Sequence, residues 1–186
     1  MDEVISTLWA AFFGSWALAG RQGRPAEYSE ASGTFLARVA LFGLAFALVM
    51  SDYCRIGLLG ERFLPDDAAV AWGGVVLLAA GLGFAGWARW HLGQYWNTRI
   101  AIQEDHQLVR TGPYALVRHP IYTGIILGML GTATAVGERR GLLAVLLLLG
   151  IYLWKIPREE SWLLRQLGAQ YAQYRREVKA VIPFVF

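Results

Sequence analysis

Apolar and polar residues alternate in long blocks along this chain, and the apolar blocks are too continuous to be the inner faces of soluble helices. Five stand out, at about 4–19, 35–51, 68–88, 121–136 and 142–156. A helix needs roughly 20 apolar residues to cross a bilayer's hydrocarbon. The last two blocks are short for a full span at about 1.5 Å per residue. Only 137–141 separates them, which predicts a tight helical hairpin. The pattern therefore predicts an all-α integral membrane protein of about five transmembrane helices. It forms a single domain over 1–186, with three spans in 1–88, and a polar loop, hairpin and tail in 89–186. Pro157 suits a helix break or a first-turn position. A further helix is predicted over 159–174, where Leu163, Leu167, Tyr171 and Tyr174 make one apolar stripe. Such a stripe packs on the membrane surface or against the spans.

Composition agrees with this reading. Of 186 residues, 56% are hydrophobic and 17% charged, against about 45–50% and 25% in soluble domains. The first block ends in Ala17-Leu18-Ala19, which looks like a cleavage site. Asp2 and Glu3 make its start acidic, however, where a signal peptide carries positive charge, so it reads as a retained helix. Cys54 stands alone and excludes an intrachain disulfide or a cysteine metal site.

Charge sets the expected orientation. The connection 20–34 carries Arg21 and Arg24, and 89–120 carries Arg89, Arg99, Arg110 and Arg118. The tail carries Lys155, Arg158, Arg165, Arg175, Arg176 and Lys179, whereas 52–67 sets four acids against Arg55 and Arg62. With five spans the three basic pieces share one side, which should be cytoplasmic, and the N-terminus lies outside. The net charge of +3 thus reports topology, and nucleic acid is not the expected partner.

Candidate chemistry concentrates in RTGPYALVRHPIYTG, residues 110–124. Thr111-Gly112-Pro113-Tyr114 predicts a turn, and Pro120 opens the fourth helix, where its missing N–H costs nothing. Tyr114, His119 and Tyr122 then gather at a helix start whose free N–H groups favour an anion. A carboxylate-bearing cofactor fits there. Glu159 and Glu160 follow the fifth block, either as an ordinary charged helix start or as ligands for a cation such as the ammonium and sulfonium of S-adenosylmethionine. Lys155 reads either as an interfacial lysine with a snorkelling side chain or as an anchor for a substrate anion. Gly124 and Gly128 with Thr132 make a small-residue row suited to close helix contact. His91 and His106 have no neighbours at ligand spacing, so no metal site is expected. Dinucleotide, P-loop, nucleophile-elbow and zinc-protease motifs are absent.

The run HQLVRTGPYALVRHPIY, 106–122, resembles the signature of the isoprenylcysteine carboxyl methyltransferases and their bacterial relatives. So do REESWLL at 158–164, LGAQYAQYRREV at 167–178 and Ile182-Pro183-Phe184. The likeness covers roughly the C-terminal half, from about Leu92. It implies a helical membrane enzyme with a cytoplasmic cofactor pocket built from the loop before the hairpin and the tail after it. S-adenosylmethionine would be held by His106, Gln107, Leu108, Val109, Tyr114, His119, Pro120, Ile121, Tyr122 and Glu159. The family's substrate-binding arginine falls on Lys155, and Glu177-Val178 stands where the eukaryotic branch has Arg-Val. Arginine grips a carboxylate bidentately and lysine offers a point charge, so the resemblance carries fold and cofactor further than it carries the prenylcysteine substrate.

The reaction implied is in-line methyl transfer to an ionised carboxylate held by Lys155 or Arg158. The acceptor's lipid part would enter from the bilayer beside the fourth block. An amine acceptor would need a base, for which Glu160 is the candidate. Partners are then a lipophilic or lipidated substrate and membrane lipids, with no obligate protein partner. The location is an integral membrane one, the inner membrane for a bacterial member. Three alternatives stay open: a phosphatidylethanolamine-type N-methyltransferase, a membrane reductase using a nicotinamide cofactor, and a non-catalytic lipid-binding protein.

Overall fold

The computed structural model describes residues 1–19, 28–29, 32–93, 101–102 and 108–183. Five α-helices fall on the five apolar blocks: α1 Asp2–Ala19, α2 Ser32–Met50, α3 Ala68–Leu92, α4 Pro120–Val136 and α5 Arg139–Glu177. The described residues add short 3-10 turns and one antiparallel ladder of two residues per strand, β1 Tyr28–Ser29 against β2 Ala101–Ile102. Helices α2, α3 and α5 are long and apolar enough to cross a membrane. At 17 residues α4 is shorter. Among the described residues the fold is helical apart from the short turns and the two-residue ladder, consistent with an integral membrane protein, in which helices satisfy their own backbone groups in hydrocarbon.

Local sequence fixes the helix ends. The Asp67 carboxylate accepts from the amides of Ala69 (2.7 Å) and Val70 (3.4 Å) to start α3, a cap worth about 1 kcal/mol. Gly137, at φ 70°, ends α4 in the left-handed conformation that glycine adopts without penalty. Glu138 begins α5 at once, so the hairpin turn is tighter than the pattern alone predicted.

Helices α3 and α4 meet backbone to backbone. A Cβ on Gly81 would lie 2.5 Å from the Gly128 amide and 2.6 Å from the Gly124 carbonyl oxygen, and one on Gly124 would lie 2.5 Å from the Gly81 carbonyl oxygen. Gly74 and Gly131 repeat the arrangement two turns away. The row anticipated at Gly124, Gly128 and Thr132 is thus a helix contact, with its counterpart at Gly74 and Gly81. At its side the Trp9 indole of α1 donates to Thr132 Oγ1 at 3.0 Å.

The end of the bundle holding the hairpin turn is locked by charge. Glu138 is 2% exposed and receives Arg55 and Arg140, each at 2.6 Å. The Arg140 guanidinium also donates to the carbonyl of Ser51 at 2.5 Å. The amide of Phe63 donates to Gly137 O at 2.9 Å and that of Arg139 to Glu61 O at 2.9 Å. The acidic connection after α2 therefore closes over the turn, and the candidate chemistry lies at the opposite end.

The tail departs from expectation. Helix α5 runs through Pro157 without a break, and the non-helical backbone comes eleven residues later at Gly168 (φ 50°, ψ −124°). Proline removes one donor from the ladder, and Pro157 and the Leu153 position it leaves without a partner both lie at the exposed surface. Glycine alone takes the Gly168 conformation readily. The predicted stripe is divided there. Leu163 and Leu167 stay half-buried before the kink, while Tyr171 and Tyr174 after it are buried, at 2% exposure each.

Candidate active site

Residues 110–119, just before α4, pack against the last turns of α5. The His91 ring at the end of α3 lies 2.8 Å from Thr111 Oγ1 and covers Gly112, whose φ of 59° and contact with that ring leave no room for a side chain. Gly112–Ala115 forms a 3-10 turn that buries Tyr114. The Tyr174 hydroxyl, from beyond the kink, donates to the Tyr114 carbonyl at 2.6 Å. Burial pushes the Tyr114 phenol well up, and the charge of Glu159 adds to the shift, so Tyr114 stays neutral at physiological pH.

A charged fastener follows. The Arg118 guanidinium meets Glu160 Oε1 at 2.6 and 2.7 Å. His119 Nε2 lies 3.2 Å from the same oxygen, and Arg175 Nε lies 3.1 Å from Oε2. The amides of Arg118 and His119 donate to the carbonyls of Lys179 (2.8 Å) and Ala180 (2.9 Å), and Thr123 Oγ1 donates to Val181 O at 2.7 Å. The tail is thereby stitched to the start of α4. Both Glu160 oxygens are engaged in this network, which gives it the geometry of a strut rather than of a proton acceptor open to substrate.

Beside the fastener stands an aromatic column. The His119 and Tyr122 rings stack at 5.3 Å and 3°, and Tyr122 stacks on Tyr152 of α5 at 4.4 Å and 17°. Lys155 Nζ lies 4.8 Å over the Tyr122 ring. The Tyr122 hydroxyl donates to Glu159 Oε2 at 2.5 Å, and Lys155 Nζ is 4.0 Å from that oxygen. The Glu159 side chain keeps 30% exposure, which leaves carboxylate surface for an incoming cation. Such a face of carboxylate and aromatic rings suits an ammonium or sulfonium, and the α4 N-terminus beside it suits a carboxylate.

Among the residues anticipated from sequence, Tyr114, His119, Pro120, Ile121, Tyr122, Lys155, Glu159 and Glu160 lie in this one region. Leu108 and Val109 are half-buried on the approach to the turn, Val109 against the core. His106 and Gln107 lie outside the described residues. Arg158 is not drawn in: its side chain is exposed, donates to the Trp154 carbonyl at 2.8 Å and stacks on the Trp154 ring at 3.9 Å. Sequence reasoning passed over Tyr152, which lies one turn before Lys155 and two before Glu159 on the same helix face, a spacing legible in the sequence. It also gave no role to Arg38, a charge inside an apolar block, which is itself a signal of function.

Comparison with known proteins reaches the same half of the chain. A protein-S-isoprenylcysteine O-methyltransferase of Schizosaccharomyces pombe is 34% identical over 113 residues, covering 50% of this chain and 46% of that protein. Protein-S-isoprenylcysteine O-methyltransferase B of Arabidopsis thaliana is 32% identical over 92 residues, covering 47% and 45%. The cobalt-zinc-cadmium resistance protein CzcN of Cupriavidus metallidurans is 33% identical over 104 residues, covering 55% and 48%. The chain spans about half the length of the curated relatives it matches. Residues 74–165, which run from α3 through the turn, the aromatic column and the Glu159–Glu160 pair, match the sequence model of the isoprenylcysteine carboxyl methyltransferase (ICMT) family, the family to which the resemblance of the 106–122 run also points.

Proposed function

We propose that this chain is a membrane methyltransferase that takes its methyl group from S-adenosylmethionine and delivers it to a lipophilic carboxylate of the prenylcysteine kind. The observation that carries the reading is the closure of the α4 start onto α5, with the Tyr122 hydroxyl 2.5 Å from Glu159 and both beside the His119–Tyr122–Tyr152 stack. The whole of 1–186 acts as one domain, with five membrane helices. The site and tail face the cytoplasm and the N-terminus lies outside, which in a bacterial cell means the inner membrane.

The donor set fits the cofactor. Glu159 would take its ammonium, the aromatic column would flank its sulfonium, and the amides at the start of α4 would meet its carboxylate, with Tyr114, Pro120 and Ile121 closing the wall. S-adenosylmethionine supplies a methyl group already activated on sulfur, so that one O–C bond forms as one S–C bond breaks, leaving a methyl ester and a neutral thioether. The protein's work is alignment. A carboxylate is ionised at neutral pH, so no side chain need remove a proton, and this agrees with the engagement of both Glu160 oxygens. Lys155 holds Glu159 and the Tyr122 ring in place and adds positive charge next to the acceptor.

The test is incubation of detergent-solubilised protein with methyl-labelled S-adenosylmethionine and N-acetyl-S-farnesylcysteine. Label transferred to the lipid and released by mild alkali is the expected result. Alkali-stable label would mark an amine acceptor. Failure to bind S-adenosylhomocysteine, together with stabilisation by NADPH, would replace the reading with a reductase.

A further inference from the structure

Helix α2 carries a charge inside an apolar segment. Arg38 is 9% exposed and lies in the second turn of α2. An ionisable side chain at such a position is costly unless it faces a partner or a cavity. Arg38 faces a cavity. Between α2 and α5 runs a groove of about 400 Å³, in which Arg38 joins Leu41, Leu147, Gly150, Ile151 and Trp154. That volume is of the order of small-ligand sites, about 300–1,000 Å³. The lining is otherwise almost wholly apolar. Gly150 widens it, since a Cβ there would meet nothing within 4 Å. The groove opens toward lipid, with Leu41 45% and Leu146 63% exposed.

The groove is oriented. Helices α2 and α5 run antiparallel, since Arg140 at the start of α5 reaches the carbonyl of Ser51 just past the end of α2. At the other end Arg38 lies within electrostatic range of Tyr122, Tyr152 and Glu159. The charged end of the groove therefore adjoins the candidate active site, and the apolar end points to the bilayer interior.

We infer that this groove is the acceptor site, a reading that rests on the methyltransferase proposal above: one apolar chain lies between α2 and α5, and Arg38 grips its carboxylate. Arginine's planar fork matches a carboxylate bidentately. Lys155 faces Glu159 and the Tyr122 ring, whereas Arg38, which also meets the Phe35 ring at 5.7 Å, is a cation that lines the groove. The acceptor then approaches between α2 and α5, not beside α4, most of whose residues are buried. Arg38 also lies outside the matched residues 74–165. Acceptor choice in this chain thus falls to a segment that the family match does not reach.

The experiment measures binding of N-acetyl-S-farnesylcysteine, and of farnesol as its counterpart without a carboxylate, to solubilised protein by calorimetry. Binding of S-adenosylhomocysteine is measured in parallel. Wild-type protein is expected to prefer the acid at least tenfold. Arg38→Gln should abolish that preference while farnesol binding persists, and Arg38→Lys should restore part of it. Gly150→Trp, which fills the groove, should weaken both lipids at least tenfold with S-adenosylhomocysteine affinity kept within about twofold. An unchanged acid preference in Arg38→Gln overturns the inference, as does full acid affinity in Gly150→Trp, which decides the matter if Arg38→Gln does not fold. Displacement of the acid by phosphatidylglycerol would assign the groove to a structural lipid and also overturn it. Wild-type protein that binds no S-adenosylhomocysteine would instead overturn the methyltransferase reading, so the two failures are distinguishable.

Discussion

Adding one methyl group to α4 tests how the fold aims the site. In Gly124→Ala the new Cβ would lie 2.5 Å from the Gly81 carbonyl oxygen and 2.6 Å from the Ala85 amide, both on the backbone of α3. Ordinary contact begins near 3.4 Å, so the helices must separate there by about 0.9 Å. No flexible side chain absorbs the clash. Overpacking costs typically about 1–3 kcal/mol, and a contact with backbone belongs in the upper half, about 2–3 kcal/mol. For a chain of this size that lowers Tm by about 4–12 °C. Tyr122 lies half a turn before Gly124, so the same displacement moves its hydroxyl away from Glu159, now 2.5 Å distant. A shift near 1 Å at a positioned group costs about 100-fold. Gly131→Ala makes an equivalent clash two turns farther on, 2.6 Å from the Gly74 carbonyl oxygen. Thermal unfolding in detergent, with S-adenosylhomocysteine titrated into each variant, reads both effects. Both variants should lose stability, and Gly124→Ala should also lose at least tenfold in cofactor affinity while Gly131→Ala stays within about twofold. Equal affinity losses in the two, or an unchanged Tm in Gly124→Ala, would refute the argument.

Other perturbations separate strut from binding site. Glu160→Ala strands Arg118, whose side chain is 8% exposed, and should cost about 3–5 kcal/mol in chemical denaturation. Arg175→Ala removes a partner that is 53% exposed and should cost under about 1 kcal/mol. Tyr122→Phe keeps the ring stack but deletes the hydroxyl on Glu159, a hydrogen bond to a charged group worth about 1.5–3 kcal/mol. S-adenosylhomocysteine should then bind about tenfold or more weakly, by calorimetry. Glu138→Ala leaves Arg140 buried without its carboxylate at the far end of the bundle. Its melting temperature should drop, and its cofactor affinity should match wild type.

The helix count, the hairpin and the candidate loop were legible because hydropathy over 17–25 residues is a local property, and because Pro120 and Gly137 mark helix ends by their own backbone chemistry. Tyr114, His119, Tyr122 and Glu159 were legible from residue type and from resemblance. Three features were not, because each depends on what lies across space. Pro157 reads as a break, yet packing carries α5 through it and places the kink at Gly168. Glu160 reads as a charged helix start, a cation ligand or a base, and only the return of the tail surrounds it with Arg118, His119 and Arg175. Arg38 sits more than a hundred residues from Glu159 in sequence, and only the antiparallel packing of α2 on α5 brings it to the site. Sequence by itself determined which segments are apolar enough to form the long helices and which residue types gather at the candidate site. Tertiary structure decided which charges are spent holding the tail and which face an open groove, since burial and partnership arise only when helices distant in the chain are packed together.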